Sequence, residues 1–251
     1  MISKSRIKLI KALEKRKYRL EHKLFVAEGP KLVGELIRHL EPTYIAALKE
    51  WLEENQTLIP QQTQVDEVLH EELERASLLR APQSVLALFP IEEQNFDETI
   101  PQKELCIALD DVQDPGNLGT ITRIADWFGI RHIFCSPHTA DIYNPKAVQA
   151  TMGALARVKL HYCNLEEILS KEGVTAYGTF LDGKNIYAQE LENKGVIVMG
   201  NEGNGISANI EKWIDKKLFI PNYPIGTETT ESLNVAIATS IVCAEFRRRH
   251  Q

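Results

Sequence analysis

The sequence predicts an α/β protein built from two domains, and three observations lead to this class. Short apolar runs alternate with segments of helical periodicity along most of the 251 residues. A polar, acidic stretch bracketed by Pro90 and Pro101 interrupts this alternation. Hydrophobic residues make up 43% of the chain, and the parts on either side of the stretch are each long enough to bury a core. We predict a small N-terminal α/β domain over residues 1–97, a linker over 98–103 and a parallel-sheet domain over 104–251.

In the N-terminal part, apolar residues at helical spacing between cations predict one amphipathic helix over residues 2–22. Glu28, Gly29 and Pro30 open the next helix, because proline is favoured in a first helical turn. The remaining predicted elements here are strands over 24–27, 44–48, 57–59 and 84–89 and a helix over 65–73.

In the C-terminal part, the regular alternation predicts a parallel sheet with helices on both faces. The predicted strands are 105–109, 132–135, 158–161, 174–181, 196–199 and 217–220. The predicted helices are 116–129, 145–152, 165–171, 207–213 and 233–248. Ligands of such sheets bind at the carboxyl ends of the strands, so the loops that follow the strands are the first place to look for a site.

Charge is distributed unevenly along this chain of net charge -6. Residues 1–24 carry nine Lys or Arg against two Glu, whereas residues 41–100 carry thirteen acids against three bases. A basic segment on an acidic protein is a candidate nucleic-acid contact, and the alternative is an ordinary solvated helix face.

The four cysteines are scattered and form no CxxC pair, which favours reduced thiols in a cytoplasmic protein over a disulfide framework or a zinc site. Residues 1–20 carry charges throughout and lack the apolar core of a secretory signal. No run of 18 uncharged apolar residues occurs, so we expect no membrane span. From the scattered cysteines we also expect no metal.

The first candidate loop, DDVQDPGNLG, follows strand 105–109 and leads into a helix that carries Arg123. Asp-Pro-Gly is a turn signal, and Asn117 is placed like a helix cap. The alternative interpretation is a plain strand-to-helix turn with a surface arginine.

The second candidate loop, Gly200 to Gly205, directly follows an apolar strand. Glycines there let the backbone approach a ligand closely. A phosphate loop fits poorly, because no Lys-Ser/Thr follows and Glu202 would repel a phosphate. The alternative is a tight turn without a ligand.

The third candidate segment runs from Ile220-Pro221 to the first turn of the last helix. Ser232 and Asn234 there would present side-chain donors and free backbone N–H groups to a cleft. The alternative is an ordinary capped helix.

Taken together and in this order, DPGNLGTITRIA, VIVMGNEGNGIS and IPN…ESLNVAIA resemble the three motifs of the SpoU (TrmH) family of SPOUT-class RNA ribose 2′-O-methyltransferases. The resemblance covers about residues 103–251. A weaker one links FVAEGPKLVGELI and LLRAPQSVLALF to the small substrate-binding domain that precedes the catalytic domain in many members. Two features depart from the family: the segment 222–230 is longer than expected, and Ala236 stands where many members have serine.

The resemblance implies a C-terminal trefoil knot, a rare exception to the rule that chains do not knot. It also implies S-adenosylmethionine as cofactor and a ribose 2′-hydroxyl of rRNA or tRNA as acceptor. The implied catalytic residues are Arg123, Asn117, Glu202, Ser232 and Asn234. The implied cofactor-binding residues are Thr179, Phe180, Leu181, Met199, Gly200, Asn201, Gly203, Ile220, Pro221 and Leu233.

If the resemblance holds, Arg123 clamps the RNA phosphate and the forming alkoxide, because a guanidinium is a poor base. Asn117 and Asn234 are expected to orient Arg123 and the ribose, and a phosphate, Glu202 or water accepts the proton.

The family implies a homodimer through the C-terminal domain. The basic N-terminal helix and Arg247, Arg248 and Arg249 would extend the RNA surface. The alternatives are an RNA-binding protein of the same fold without turnover and a nucleotide enzyme, although the dinucleotide fingerprint is absent.

Overall fold

The computed structural model describes residues 1–92, 96–224, 227, 230 and 232–250. They form two compact units, the first comprising residues 1–93 and 141–157 and the second residues 94–140 and 158–251. Up to residue 92 the elements are α1 (Lys4–Ala12), α2 (Arg16–His22), β1 (Leu24–Glu28), α3 (Pro30–Leu36), β2 (Tyr44–Ala47), α4 (Lys49–Asn55), β3 (Gln64–Glu67), α5 (His70–Ala76) and β4 (Val85–Pro90). The later elements are β5 (Leu105–Leu109), α6 (Pro115–Trp127), β6 (His132–Cys135), α7 (Pro145–Thr151), β7 (Lys159–Tyr162), α8 (Leu165–Leu169), β8 (Ala176–Asn185), β9 (Gly195–Met199), α9 (Ala208–Glu211), β10 (Lys216–Phe219) and α10 (Val235–Arg248).

The first unit is built on a four-stranded sheet in the order β1-β4-β2-β3. β4 is antiparallel to both of its neighbours, and β2 and β3 are parallel. Helix α7 belongs to this unit: Val148 joins its core, and the Tyr143 ring lies 5.0 Å from that of Phe25. Residues 141–157, which the predicted boundaries place in the C-terminal domain, therefore pack into the first unit.

The single helix expected over residues 2–22 is wrong, because the chain turns between α1 and α2. Arg19 explains the turn: its guanidinium donates to the carbonyls of Leu13 (2.8 Å) and Glu14 (2.7 Å), which no longer have helical partners. The same group pairs with Asp141 at 2.6 Å. Arg19 is 2% exposed, so it does not belong to a basic surface as the sequence suggested.

Two further expectations in this unit are also wrong. Residues 56–58 form a 3₁₀ turn where a strand was expected, and the helix expected over 65–73 is instead β3 followed by α5. β3 is an edge strand whose side chains are mostly exposed. It is defined by its main-chain pairing with β2, so the sequence shows no alternation of apolar residues there.

The second unit contains a six-stranded sheet in the order β10-β8-β9-β5-β6-β7, parallel throughout. The expected α/β class with a parallel sheet is confirmed, and β5 and β6 have the predicted bounds. Every residue of β5 and β9 is buried, as expected of central strands covered on both faces. The knot stays a prediction.

Candidate active site

The loops that follow β5 and β9 begin side by side, because Leu109 and Met199 are paired at the ends of these adjacent parallel strands. The loop after β5 leads into α6, whose cap Asp114 accepts a hydrogen bond from the backbone N–H of Asn117 (2.9 Å). Asn234 caps α10, and its Oδ1 accepts from the N–H groups of Ala236 and Ile237. Two helix starts and one strand end thus supply the polar groups of the site.

A chain of side-chain hydrogen bonds joins the three predicted motifs. Nδ2 of Asn234 donates to Oδ1 of Asn117 (3.0 Å), and Nδ2 of Asn117 donates to Oε1 of Glu202 (2.9 Å). Asn117 and Glu202 lie 85 positions apart in the sequence, and Asn117 and Asn234 lie 117 positions apart. Folding therefore brings together three of the five residues to which the resemblance assigns catalysis.

Glu202 holds the turn that precedes α6. Its carboxylate accepts from the backbone N–H groups of Gln113 and Asp114, both at 3.2 Å, in addition to the amide of Asn117. Partial burial raises the pKa of Glu202, but these hydrogen bonds to the ionised form outweigh it and leave the pKa below its ordinary value. The side chain is thus a carboxylate committed to neighbouring donors.

The loop from Gly200 to Gly205 closes on itself. Asn201 and Gly205 exchange backbone hydrogen bonds of 2.9 and 3.0 Å. A Cβ at Gly200 would lie 2.1 Å from the carbonyl carbon of Gly205, so only glycine fits there. The Asn201 side chain donates to the carbonyl of Asp111 (2.8 Å) and accepts from the N–H of Gly203 (2.9 Å). Asn201 therefore shapes the loop through its side chain.

Asp110 and Asp111 anchor the same loops, and the sequence motifs predicted no role for either residue. Buried Asp110 accepts from the N–H of Ser207 (2.7 Å). Asp111 has φ 58° and bonds to Ser136, which lies at the end of the neighbouring strand β6. The position of two carboxylates directly after a fully buried strand is the sequence feature that could have predicted their role.

Arg123 lies on the exposed face of α6. Six helical positions separate it from Asn117, so the two side chains leave the helix in different directions. Across the described ranges, the guanidinium of Arg123 makes no hydrogen bond or ion pair. Among the described residues, neither Asn117 nor Asn234 is hydrogen-bonded to the Arg123 side chain, and the orientation of Arg123 by these two amides stays a prediction.

The predicted cofactor residues on β8 sit where this strand leaves the sheet. Gly178 pairs with Lys217 and Lys184 pairs with Leu218, so residues 179–183 project from the ladder. Thr179 Oγ1 lies 3.9 Å from Sδ of buried Met199, which connects the projecting segment to the end of β9. The Leu181 side chain is 73% exposed.

The other predicted residues lie on the third segment. Ile220 and Pro221 are half-buried, whereas Ser232 and Leu233 are exposed. Residues 225, 226, 228 and 229 of the longer 222–230 segment lie outside the described residues, as does Glu231.

These features fit S-adenosylmethionine. An adenosine needs apolar contact together with main-chain hydrogen bonds. The exposed apolar side chains of Leu181 and Leu233 and the main chain of the tight Gly200–Gly205 loop are groups of these two kinds. Within the described residues there is no cluster of three or more His, Cys, Asp or Glu suited to a metal ion. In the same part of the chain, no helix is long and apolar enough to cross a membrane.

Family models match both parts of the chain. The SpoU rRNA methylase family model matches residues 104–244, and that of the MRM3-like substrate-binding domain matches residues 4–87. The chain is 30% identical over 250 residues to the Bacillus subtilis 23S rRNA (guanosine(2553)-2′-O)-methyltransferase RlmP, covering 96% of each protein. It is 29% identical to RlmB of Neisseria meningitidis, a 23S rRNA (guanosine-2′-O-)-methyltransferase, covering 61% of each.

Solved structures agree over the full length. A TrmH-family RNA methyltransferase structure from Porphyromonas gingivalis has a TM-score of 0.88 and 40% identity, covering 99% of both chains. An AdoMet-bound rRNA methyltransferase from Sinorhizobium meliloti has a TM-score of 0.86 and 28% identity, covering 100% of this chain and 98% of that one. The fold and the three joined motifs define an RNA methyltransferase. The chain belongs to the SpoU rRNA methylase family, which confirms the enzyme class and the cofactor that the motifs implied.

Proposed function

We propose that this protein methylates a ribose 2′-hydroxyl of ribosomal RNA at the site formed by its three motifs. The observation that carries the proposal is the hydrogen-bonded chain from Asn234 through Asn117 to Glu202. It fixes two helix starts and one glycine loop at the strand ends, where parallel sheets bind ligands.

S-adenosylmethionine, when bound, supplies an electrophilic methyl group on a sulfonium. The residues that would hold it are Thr179, Phe180 and Leu181 of the projecting segment, Met199, Gly200, Asn201 and Gly203 around the glycine loop, and Ile220, Pro221 and Leu233 of the third segment. Main-chain groups of these loops and the exposed apolar side chains would bind the adenosine.

Arg123 acts on the RNA. A guanidinium stays charged at every working pH and binds phosphate in a bidentate manner, so Arg123 positions the substrate backbone and stabilises the negative charge that develops on the 2′-oxygen. Its lack of a partner among the described residues leaves the group available for this contact. Ser232, exposed beside the cap of α10, hydrogen-bonds the substrate nearby.

Glu202 is a positioning residue in this proposal. Its oxygens already accept three hydrogen bonds, and its lowered pKa makes it a weak base. An RNA phosphate or water accepts the 2′-hydroxyl proton.

Ribosomal RNA is the proposed substrate because the relative that matches along almost the whole chain is named for 23S rRNA. Guanosine 2553, given in that name, is the first nucleotide to examine. Exposed Lys15, Arg16 and Lys17 at the start of α2 supply phosphate contacts in the substrate-binding domain, which we assign to residues 1–97. The C-terminal arginines contribute less, since Arg247 donates to the Phe128 carbonyl and Arg248 and Arg249 pair with Glu245.

A second copy of the chain completes the proposed assembly. Val235, Val242 and Phe246 of α10 are buried within one chain, but the Ile237 side chain is 54% exposed. Trp127 on α6, which packs along α10, is 85% exposed. Large apolar side chains exposed on packed helices favour a homodimer through this face. We assign the protein to the cytoplasm, where its rRNA substrate is found.

The test incubates purified protein with tritiated S-adenosylmethionine and rRNA from cells that lack the gene, both as naked RNA and as ribosomal subunits. We expect label in the RNA from wild-type protein and from an Arg131→Ala control, an exposed arginine outside α6. The Arg123→Ala variant should lose label while retaining cofactor binding in calorimetry. An absence of cofactor binding and of transfer in wild-type protein would favour the RNA-binding alternative.

A further inference from the structure

The pairing of β8 with β10 contains a jump in register. Consecutive residues Lys217 and Leu218 of β10 pair with Gly178 and Lys184 of β8. The five residues between these partners, 179–183, form a segment that we call the β8 bulge. A Cβ at Gly183 would lie 2.6 Å from the backbone carbonyl carbon of Leu218, so the strand re-enters the sheet only because glycine stands there.

One side chain holds the β8 bulge from the neighbouring strand. The ammonium of Lys217 lies 4.6 Å from the centre of the Phe180 ring and 3.5 Å from a carboxylate oxygen of Asp182. It also pairs with Glu211 of α9 at 2.5 Å. Lys217 thus connects Phe180 and Asp182 of the β8 bulge to Glu211 of α9, at the point where the register changes.

The neighbouring Lys216 provides a contrast within the same strand. Its ammonium donates to the carbonyl of Glu190 (3.1 Å) and lies 5.4 Å from the centre of the Tyr177 ring. Neither contact involves the bulge. Two adjacent lysines therefore make similar types of contact, and only one of them restrains residues 179–183.

We propose that Lys217 is a positioning residue for the cofactor site, holding the β8 bulge in the shape that receives the adenosine moiety. This inference rests on the proposed function, because the bulge contains Thr179, Phe180 and Leu181. The ion pairs of Lys217 are partly exposed to solvent, and we expect them to contribute little to global stability. Their effect is local: they reduce the conformational freedom that the bulge would otherwise lose on binding.

The test compares Lys217→Met, which keeps an apolar stem without the charge, with Lys217→Arg and the matched control Lys216→Met. Calorimetry should show S-adenosylmethionine binding weakened about three- to tenfold in Lys217→Met and within about twofold of wild type in the other two. At saturating cofactor the kcat of Lys217→Met should match wild type, with the loss confined to KM. Without cofactor, amide exchange across residues 176–187 should accelerate in Lys217→Met alone.

The outcomes separate the two proposals. Wild-type protein that binds no S-adenosylmethionine would overturn the proposed function and this inference with it. Wild-type protein that binds it, together with a folded Lys217→Met variant of equal affinity and equal exchange, would overturn only the role of Lys217.

Discussion

Asn234 donates a hydrogen bond to Asn117 across 3.0 Å, so the first turn of the last helix is tied to the first turn of α6. Asn234 also caps its own helix through its side-chain oxygen. One amide therefore performs two separable tasks, the capping of α10 and the connection of two motifs.

Substitution of Asn234 can separate these tasks. Asn234→Ser keeps a capping oxygen but is too short to reach Asn117, whereas Asn234→Ala removes both contacts. We expect Asn234→Ala to lower the free energy of unfolding by about 0.5–2 kcal/mol and Asn234→Ser to stay near wild type. Both should lose methyl transfer by about tenfold or more, because the active-site loops shift. Thermal unfolding and single-turnover rates measure the two effects, and full activity in Asn234→Ser would show that the link to Asn117 is dispensable.

The Glu202→Gln variant tests whether Glu202 positions the neighbouring loops or accepts the proton of the 2′-hydroxyl. The variant retains the shape of the side chain but loses its charge and one acceptor, so we expect activity about 10- to 100-fold lower.

The stability of the protein should also depend on the charge of Glu202. The folded-state pKa of its carboxyl lies below the unfolded one, so the carboxylate stabilises the fold above the unfolded pKa, and this contribution disappears as pH falls through the folded pKa. The Tm difference between wild type and Glu202→Gln should therefore shrink once the pH falls below the unfolded pKa of the carboxyl, and vanish below its lowered folded-state pKa.

The pH dependence of the methyl-transfer rate also tests whether Glu202 is the base. A residue already ionised at pH 6 contributes no rise in rate between pH 6 and 9. A rising limb in that range that disappears in Glu202→Gln would identify the carboxylate as the base and contradict its positioning role.

His161 makes the catalytic unit sensitive to acid. Its ring is 3% exposed and contacts His132, Phe96 and Phe134. Burial, with a smaller effect from nearby His132, lowers the pKa of His161 to about 4. The neutral ring therefore stabilises the fold fully above the unfolded pKa of about 6.5, and this stabilisation is lost as pH falls from there towards 4.

We expect unfolding by denaturant to show a loss of roughly 3 kcal/mol from this group between pH 7 and pH 4. The pH dependence should be reduced in His161→Leu and unchanged in His138→Gln, a control at an exposed histidine. Equal pH dependence in all three proteins would show that His161 is not the sensitive group.

Ile237→Lys should disrupt the proposed homodimer, because a charge at the centre of an apolar contact is costly to bury. Light scattering after size exclusion should give a dimer mass for wild type and a monomer mass for the variant at micromolar concentration. Leu20→Lys is the matched control, since Leu20 is 62% exposed but lies on α2 in the first unit. A wild-type protein that is monomeric would remove the dimer from the proposal.

The sequence predicted best the elements defined by burial along the chain. β5 and β6 are continuous apolar runs in a central sheet, and their bounds agree with the prediction. The motif loops were located because parallel strands place their carboxyl ends together. β3 was missed because an edge strand is defined by its pairing partner.

Side-chain partners were harder to predict than elements. Arg19 was counted among surface cations because its partner Asp141 lies 122 positions away. The bond from Asn117 to Glu202 and the register jump at Lys217 likewise depend on which strands become neighbours, and a continuous apolar strand gives no sign of either.

The most direct test of the central claim maps ribose methylation of rRNA from cells that lack the gene. We expect one 2′-O-methylated nucleotide to become unmodified, to be restored by wild-type protein, and to remain unmodified with Arg123→Ala expressed at the same level. An unchanged methylation map on deletion, or full restoration by Arg123→Ala, would contradict the account.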